Sequence, residues 1–208
     1  MHIDAKVVKA LREKTGAGMM DCKKALQEAG GNEEKAVDIL REKGLSAAAR
    51  RSDRAANQGI IDSYIHLGGK IGVLVEVNCE TDFVARNDEF REFVRNICLQ
   101  VAATNPVYLN KEEVPEKILE KERQIIKAQA LNDGKPEKVI EKIVDGRLEK
   151  YYRENCLMEQ AFIKDEDINI KELLTNLMAR IGENIVIRRF SRFEIGEGLD
   201  PDTSSCCG

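Results

Sequence analysis

Between Ile71 and Val101 the hydrophobic period of the chain changes from that of a strand to that of a helix, and this switch restricts the fold more than any other feature. Ile71, Val73, Val75 and Val77 alternate with Gly72, Leu74 and Glu76, which predicts a strand. Phe90, Phe93, Val94, Ile97 and Val101 then recur at helical spacing. Asn87 stands at the N-cap, and Asp88 and Glu89 occupy the first turn, where carboxylates suit the positive end of the helix dipole. The connecting run Thr81-Asp82-Phe83-Val84-Ala85-Arg86 contains an apolar pair, Phe83-Val84, that neither period uses. Arg86 precedes the cap, so Phe83 is not a hydrophobic staple. Two readings stay open: a residue tucked under the loop into the core, as large apolar side chains usually are, or an exposed wedge that a partner must accommodate.

The flanking regions predict an α+β fold in modules. Residues 1–54 read as three short helices. Asp4 caps the first, with Val7, Val8 and Leu11 inward, and Gly16 to Gly18 break it. The second carries Met19, Cys22, Leu26 and Ala29 on one face. Asn32 caps the third, which holds Ala36, Ile39 and Leu40, and Gly44 is read as its stop. Residues 45–58 form a small, basic linker with Arg50, Arg51 and Arg54, and no aromatic residue interleaves there to stack on bases.

A hairpin follows, in which Ile61, Ser63, Ile65 and Leu67 alternate with Asp62, Tyr64 and His66. Gly68-Gly69 serves as a two-residue turn into a strand starting at Lys70. A phosphate-cradling loop is excluded, because no Gly-Lys-Ser/Thr follows and the next element is a strand. Residues 114–157 are charged and helical, with Ile118, Ile125, Ile126, Val139, Ile143 and Leu148 interrupted by Asn132-Asp133-Gly134-Lys135-Pro136. Two antiparallel helices with narrow apolar stripes, a coiled hairpin, are predicted. Ile170, Leu173, Leu174, Leu177 and Ile181 then make a helical face, and Ile185, Ile187, Phe190, Phe193 and Ile195 a closing strand. Beyond Gly198 a disordered tail is expected at 199–208.

Composition sets outer bounds. With 208 residues and 42% hydrophobic content the chain can bury a core. A formal net charge of -4 gives no overall attraction to phosphate backbones, so nucleic acid is not expected as a direct partner. No apolar run reaches the roughly 18 residues of a spanning helix, and no signal peptide is read, so a cytoplasmic protein without membrane contact is expected. Cys22, Cys79, Cys98 and Cys156 sit singly in core-like segments, without metal-ligand spacing, and Cys206 and Cys207 close the polar tail. His2 and His66 leave no credible partner for a nucleophile, and the carboxylates fall mostly on helix faces. An activity based on contact, with no metal or cofactor, is therefore expected ahead of an enzyme.

Three motifs in order make the chain recognisable. Thr81-Asp82-Phe83-Val84-Ala85-Arg86-Asn87 closely resembles the signature loop of the bacterial translation elongation factor Ts family. Thr15-Gly16-Ala17-Gly18-Met19-Met20-Asp21-Cys22-Lys23-Lys24-Ala25-Leu26 is similar to that family's amino-terminal signature. Phe193-Glu194-Ile195-Gly196-Glu197-Gly198 is similar to its carboxyl-terminal strand ending. The resemblance implies a ubiquitin-associated-like module at 1–54. It also implies an antiparallel-sheet-plus-helix core at 55–198, from which a helical hairpin at 112–157 projects.

In function it implies a guanine nucleotide exchange factor that binds elongation factor Tu, both GDP-bound and nucleotide-free, and promotes GDP release by disturbing the magnesium and phosphate site. The implied contacts are Thr81, Asp82, Phe83 and Val84, with Met19, Met20, Lys23, Arg86 and Asn87 as secondary candidates. Longer relatives carry two related core subdomains and this chain has room for one, so a homodimer is expected. The alternative is a helical protein- or RNA-interaction module without exchange activity.

Overall fold

The computed structural model describes residues 3–198. His2 and the tail expected at 199–208, with Cys206 and Cys207, lie outside the described residues. In chain order the elements are α1 (Ala5–Thr15), α2 (Met19–Glu28), α3 (Glu33–Ala49), β1 (Gln58–Ile65), β2 (Ile71–Cys79), α4 (Asp82–Ala85) and α5 (Asp88–Thr104). They continue with α6 (Glu116–Asn132), α7 (Glu137–Asn155), β3 (Ala161–Phe162), β4 (Asp165–Asn169), α8 (Ile170–Ile181) and β5 (Ile185–Glu194). The fold is α+β, and its chain divides into two discontinuous compact units. One takes the amino-terminal stretch up to Ile60 with Val77–Phe90 and Glu172–Ile187, and the other takes Ile61–Glu76, Arg91–Lys171 and the stretch from Arg188 onward.

The first three helices start where the sequence predicts. The Asp4 carboxylate accepts from Lys6 N–H at 2.9 Å and the Asn32 side chain from Lys35 N–H at 3.0 Å. Val8, Leu11, Cys22, Ala25, Leu26 and Ala36 close a small core. Two expectations need correction here. Met19 is exposed, and Ala25 takes the inward place beside Cys22 and Leu26. Gly44 does not stop α3, which runs on to Ala49. A Cβ at Gly44 would lie 3.1 Å from that of Ala179 in α8, so this glycine allows two helices to approach closely.

The main sheet has the order β1-β2-β5. Both pairings of β2 are antiparallel: His66 N–H bonds to the Ile71 carbonyl across the hairpin, and Ile195 N–H bonds to the Lys70 carbonyl, so the last strand ends where β2 begins. The hairpin differs from the expected two-residue turn. His66 and Ile71 close a four-residue loop at 67–70, in which Gly68 and Gly69 hold φ 85° and 70° and Gly69 N–H returns to the His66 carbonyl at 2.9 Å. Val73, Val75, Val77 and Cys79 of β2 are buried on one face, as the alternation predicts. On β1 the apolar members Ile61 and Ile65 point the other way and stay exposed, as does Leu67 beyond the strand.

α6 and α7 form the predicted helical hairpin, with Gly134 at φ 70° in the bend. Its interior is Leu119, Ile126, Ala130, Ile140, Val144 and Leu148, joined by Val114 and Cys156 at the base. Ile126 and Leu148 were expected there, whereas Ile125 and Val139 prove exposed. The short antiparallel pair β3–β4 was not anticipated from the sequence.

Gly59 provides a test of the hairpin's close approach. It sits at φ 142°, and a Cβ there would collide with the Val77 carbonyl and lie 2.7 Å from Asn78 Cα, both backbone atoms that cannot move aside. Gly59→Ala is expected to cost more than about 2 kcal/mol in a denaturant melt.

Candidate functional site

β2 ends at Cys79, and the chain then makes a single helical turn, α4, before α5 begins. Thr81 is the N-cap of α4: its backbone is extended, and its hydroxyl accepts from Val84 N–H at 3.3 Å. Asn87 is the N-cap of α5, accepting from Glu89 N–H at 2.8 Å and Phe90 N–H at 3.3 Å. A turn capped at its start and followed at once by a second cap has little freedom to reorient. It presents Phe83 to water with 82% of its surface exposed, while Val84, the next residue, is buried to 6% exposure. Phe83 is therefore not tucked under the loop into the core; it stands out from the turn, and its neighbour Val84 is the member of the pair that anchors it. Leaving a phenylalanine in water forgoes about 1.5–3 kcal/mol that burial would contribute.

Asp82 lies in the first turn of α4 and pairs with Arg86 at 2.5 Å. Both side chains are exposed, so the pair contributes at most about 1 kcal/mol. It links the first residue of the turn to the residue that follows it. Asn87 is exposed but its side-chain oxygen is committed to the α5 cap. Met19, Met20 and Lys23 form a separate exposed group at the start of α2, where Gly18 provides no side-chain cap.

Sequence reasoning missed what holds the turn from behind. The Glu183 carboxylate accepts from Glu80 N–H and Thr81 N–H, both at 3.1 Å on Oε2, and from the Thr81 hydroxyl at 2.6 Å on Oε1. In return, Glu80 Oε1 accepts from Asn184 N–H at 2.6 Å and lies 3.6 Å from Arg54 Nη1. The buried Asn184 side chain donates to the Ser52 and Arg54 carbonyls at 3.1 and 2.7 Å. Only the helix-breaking Gly182 before Glu183-Asn184 could have drawn attention to this corner. Beneath the turn, Cys79 Sγ–H donates to the Thr81 carbonyl at 3.2 Å. Burial, and then the Glu183 carboxylate, push this thiol up to about 11, which keeps the proton on sulfur to make that bond at neutral pH.

Among the described residues no group of three or more His, Cys, Asp and Glu side chains is placed to hold a metal ion, and no helix is long and apolar enough to cross a membrane. The site is thus an exposed aromatic, Phe83, on a turn capped by Thr81 and anchored by Val84 and Glu183. The profile of the family described as Elongation factor TS matches residues 5–197. Elongation factor Ts of Thermoanaerobacter sp. (strain X514) is 63% identical over 202 residues, spanning 97% of this chain and 99% of that protein. Elongation factor Ts of Caldanaerobacter subterraneus subsp. tengcongensis is 64% identical over 198 residues, spanning 95% and 99%. That of Carboxydothermus hydrogenoformans is 61% identical over 197 residues, spanning 95% and 91%. The chain belongs to the elongation factor Ts family, the nucleotide exchange factors of elongation factor Tu in translation elongation.

The split between Phe83 and Val84 is directly measurable as stability. Phe83→Ala is expected to change the unfolding free energy by less than about 0.5 kcal/mol, as surface substitutions do. Val84→Ala is expected to lower it by about 1–3 kcal/mol, because it hollows out the anchor. Urea melts of the two variants check this.

Proposed function

We propose that exchange is driven at the α4 turn, with Phe83 as an apolar wedge that enters the GTPase beside its magnesium and phosphate site. The observation that carries this reading is the exposure of Phe83 on a turn fixed by Thr81, Val84 and Glu183. Magnesium bridges protein and nucleotide phosphates and neutralises their charge, so moving one of its supports weakens nucleotide binding sharply. Asp82 brings a carboxylate to the same place and perturbs local hydrogen bonds and charge. Val84 contributes by holding the turn, and Thr81 by capping it. Met19, Met20 and Lys23 provide a second contact on the amino-terminal module, and Arg86 and Asn87 border the first. The factor and GDP must each lower the other's affinity by the same amount, so a returning nucleotide expels the factor. The partner is elongation factor Tu in the cytoplasm, GDP-bound on encounter and nucleotide-free after release.

The test is release of fluorescent GDP from elongation factor Tu on mixing with excess factor. Phe83→Ala is expected to slow release at saturation about tenfold or more, the kinetic equivalent of about 1.5–3 kcal/mol of lost apolar insertion. Binding to nucleotide-free partner should persist through the remaining surface. Asp82→Ala is expected to act in the same direction but less. Normal release by folded Phe83→Ala would remove the wedge.

The same reading includes a homodimer, supported by the solvent face of the main sheet. Ile61, Ile65, Leu67, Leu74, Phe193 and Ile195 are all exposed on or beside β1, β2 and β5, with Phe193 at 69% and Leu67 at 88%. A Cβ at Gly72 would lie 3.2 Å from Ile65 Cδ1, so Ile65 spreads over the position where β2 carries no side chain. Counting back from the Ile195–Lys70 bond brings Phe193 level with Gly72. An apolar sheet face of this kind calls for a cover, and a second copy of the chain supplies an identical one. Light scattering under reducing conditions is expected to give a dimer mass, and Phe193→Lys a monomer that remains folded. A wild-type monomer at micromolar concentration would overturn the dimer.

A further inference from the structure

Glu183 lies more than a hundred residues from the exchange turn in sequence, yet its carboxylate takes three hydrogen bonds there. A helix of four residues has no stability of its own, because nucleating a turn costs more than so few bonds return. Its direction is therefore set by whatever grips its ends. At the leading end the Thr81 hydroxyl has one proton, and it is given to Glu183. This leaves the oxygen lone pairs for Val84 N–H, so the carboxylate orients the cap that starts the helix. The same carboxylate satisfies the two backbone N–H groups at 80 and 81, which follow the end of β2. Bonds to an ionised acceptor are the strong ones.

We infer that Glu183 is a positioning residue for nucleotide exchange, fixing the angle at which Phe83 leaves the surface. Asn184 ties the same corner to the Ser52 and Arg54 carbonyls in the segment after α3. Each strand end thus reaches across to the other: Glu183 bonds the backbone at Glu80, and Glu80 bonds the backbone at Asn184. The corner is doubly latched, so Phe83 arrives at the partner already aimed. This inference rests on the wedge reading of Phe83 given above.

The experiment uses the full chain and fluorescent GDP on elongation factor Tu, with Glu183→Ala, Glu183→Gln, Phe83→Ala and the double variant of Glu183→Ala with Phe83→Ala. Glu183→Ala is expected to lower the maximal release rate about tenfold, equivalent to about 1.4 kcal/mol. The concentration for half-saturation should stay within about twofold. Glu183→Gln keeps an acceptor for the two N–H groups and offers an amide to the Thr81 oxygen, so its rate should stay within about threefold of wild type. The double variant should be no slower than Phe83→Ala alone, since both changes act through one side chain. Amide hydrogen exchange should accelerate at Glu80 and Thr81 but not at Val75 and Val77.

Normal release by Glu183→Ala, with Phe83→Ala slow, overturns the positioning role and leaves the wedge standing. Normal release by Phe83→Ala overturns the wedge and the positioning role with it. Additive losses in the double variant, or faster exchange at Val75 and Val77, would make Glu183 a residue of the fold in general. If Glu183→Ala does not fold, Glu183→Asp carries the same comparison with the carboxylate withdrawn by one methylene.

Discussion

The central strand β2 is constrained on three sides. Strands pair with both of its edges, and Val73, Val75, Val77 and Cys79 bury one of its faces. A strand held in this way cannot slide by one residue without turning its whole buried set outward. Its end at Cys79 is consequently a fixed point, and the α4 turn is built outward from it. The Cys79 thiol bonding to the Thr81 carbonyl, the Thr81 cap and the buried Val84 together carry that fixity to Phe83. A loop hung between two mobile ends could hold an aromatic in water, but could not keep it pointed.

This rigidity has an energetic consequence for the proposed exchange turn. Binding a partner with a disordered loop sacrifices part of the interaction energy to ordering, whereas a turn already shaped in the free protein spends little on it. In the wedge mechanism proposed above, the energy of inserting Phe83 would be available to deform the partner's site. The exposed Asp82–Arg86 pair is worth little as a source of stability.

The periodic parts of the fold were legible in the sequence, because a buried face has to repeat. β2, α5, α8 and the α6–α7 hairpin were all visible in this way, and the caps Asp4, Asn32 and Asn87 could be read from residue type alone. Gly44 misled, because a glycine at a helix end and a glycine at a helix crossing look alike until Ala179 is placed beside it. The outward apolar set of β1 could not be assigned to a side: alternation reveals that a strand has two faces, not which one is wet. In the hairpin Leu119, Ile140 and Val144 lost out to Ile125 and Val139, since neighbouring isoleucines and valines satisfy two overlapping stripes. At the site, Phe83 stood out because it fitted neither period, while Val84 could not be separated from it without the helical turn that rotates one in and one out. Glu183 and Asn184 were invisible for a simpler reason: their partners are remote in sequence, and a carboxylate on a surface is the commonest thing a sequence contains.

The order β1-β2-β5 also has a consequence in time. β2 emerges from the ribosome early, and the strand that covers its second edge follows roughly a hundred residues later, after the whole α6–α7 hairpin and α8. At about 5–20 residues per second that is an interval of about 5–20 s. Throughout it β2 has one unpaired edge, and the buried row Val73, Val75, Val77 lacks part of its cover, the kind of surface that invites pairing with another chain. The hairpin needs no such wait, since its contacts are local and it can close within the time of a few amino-acid additions. Slow reading of the stretch between α5 and β5, which begins at about the midpoint of the chain, would prolong this interval.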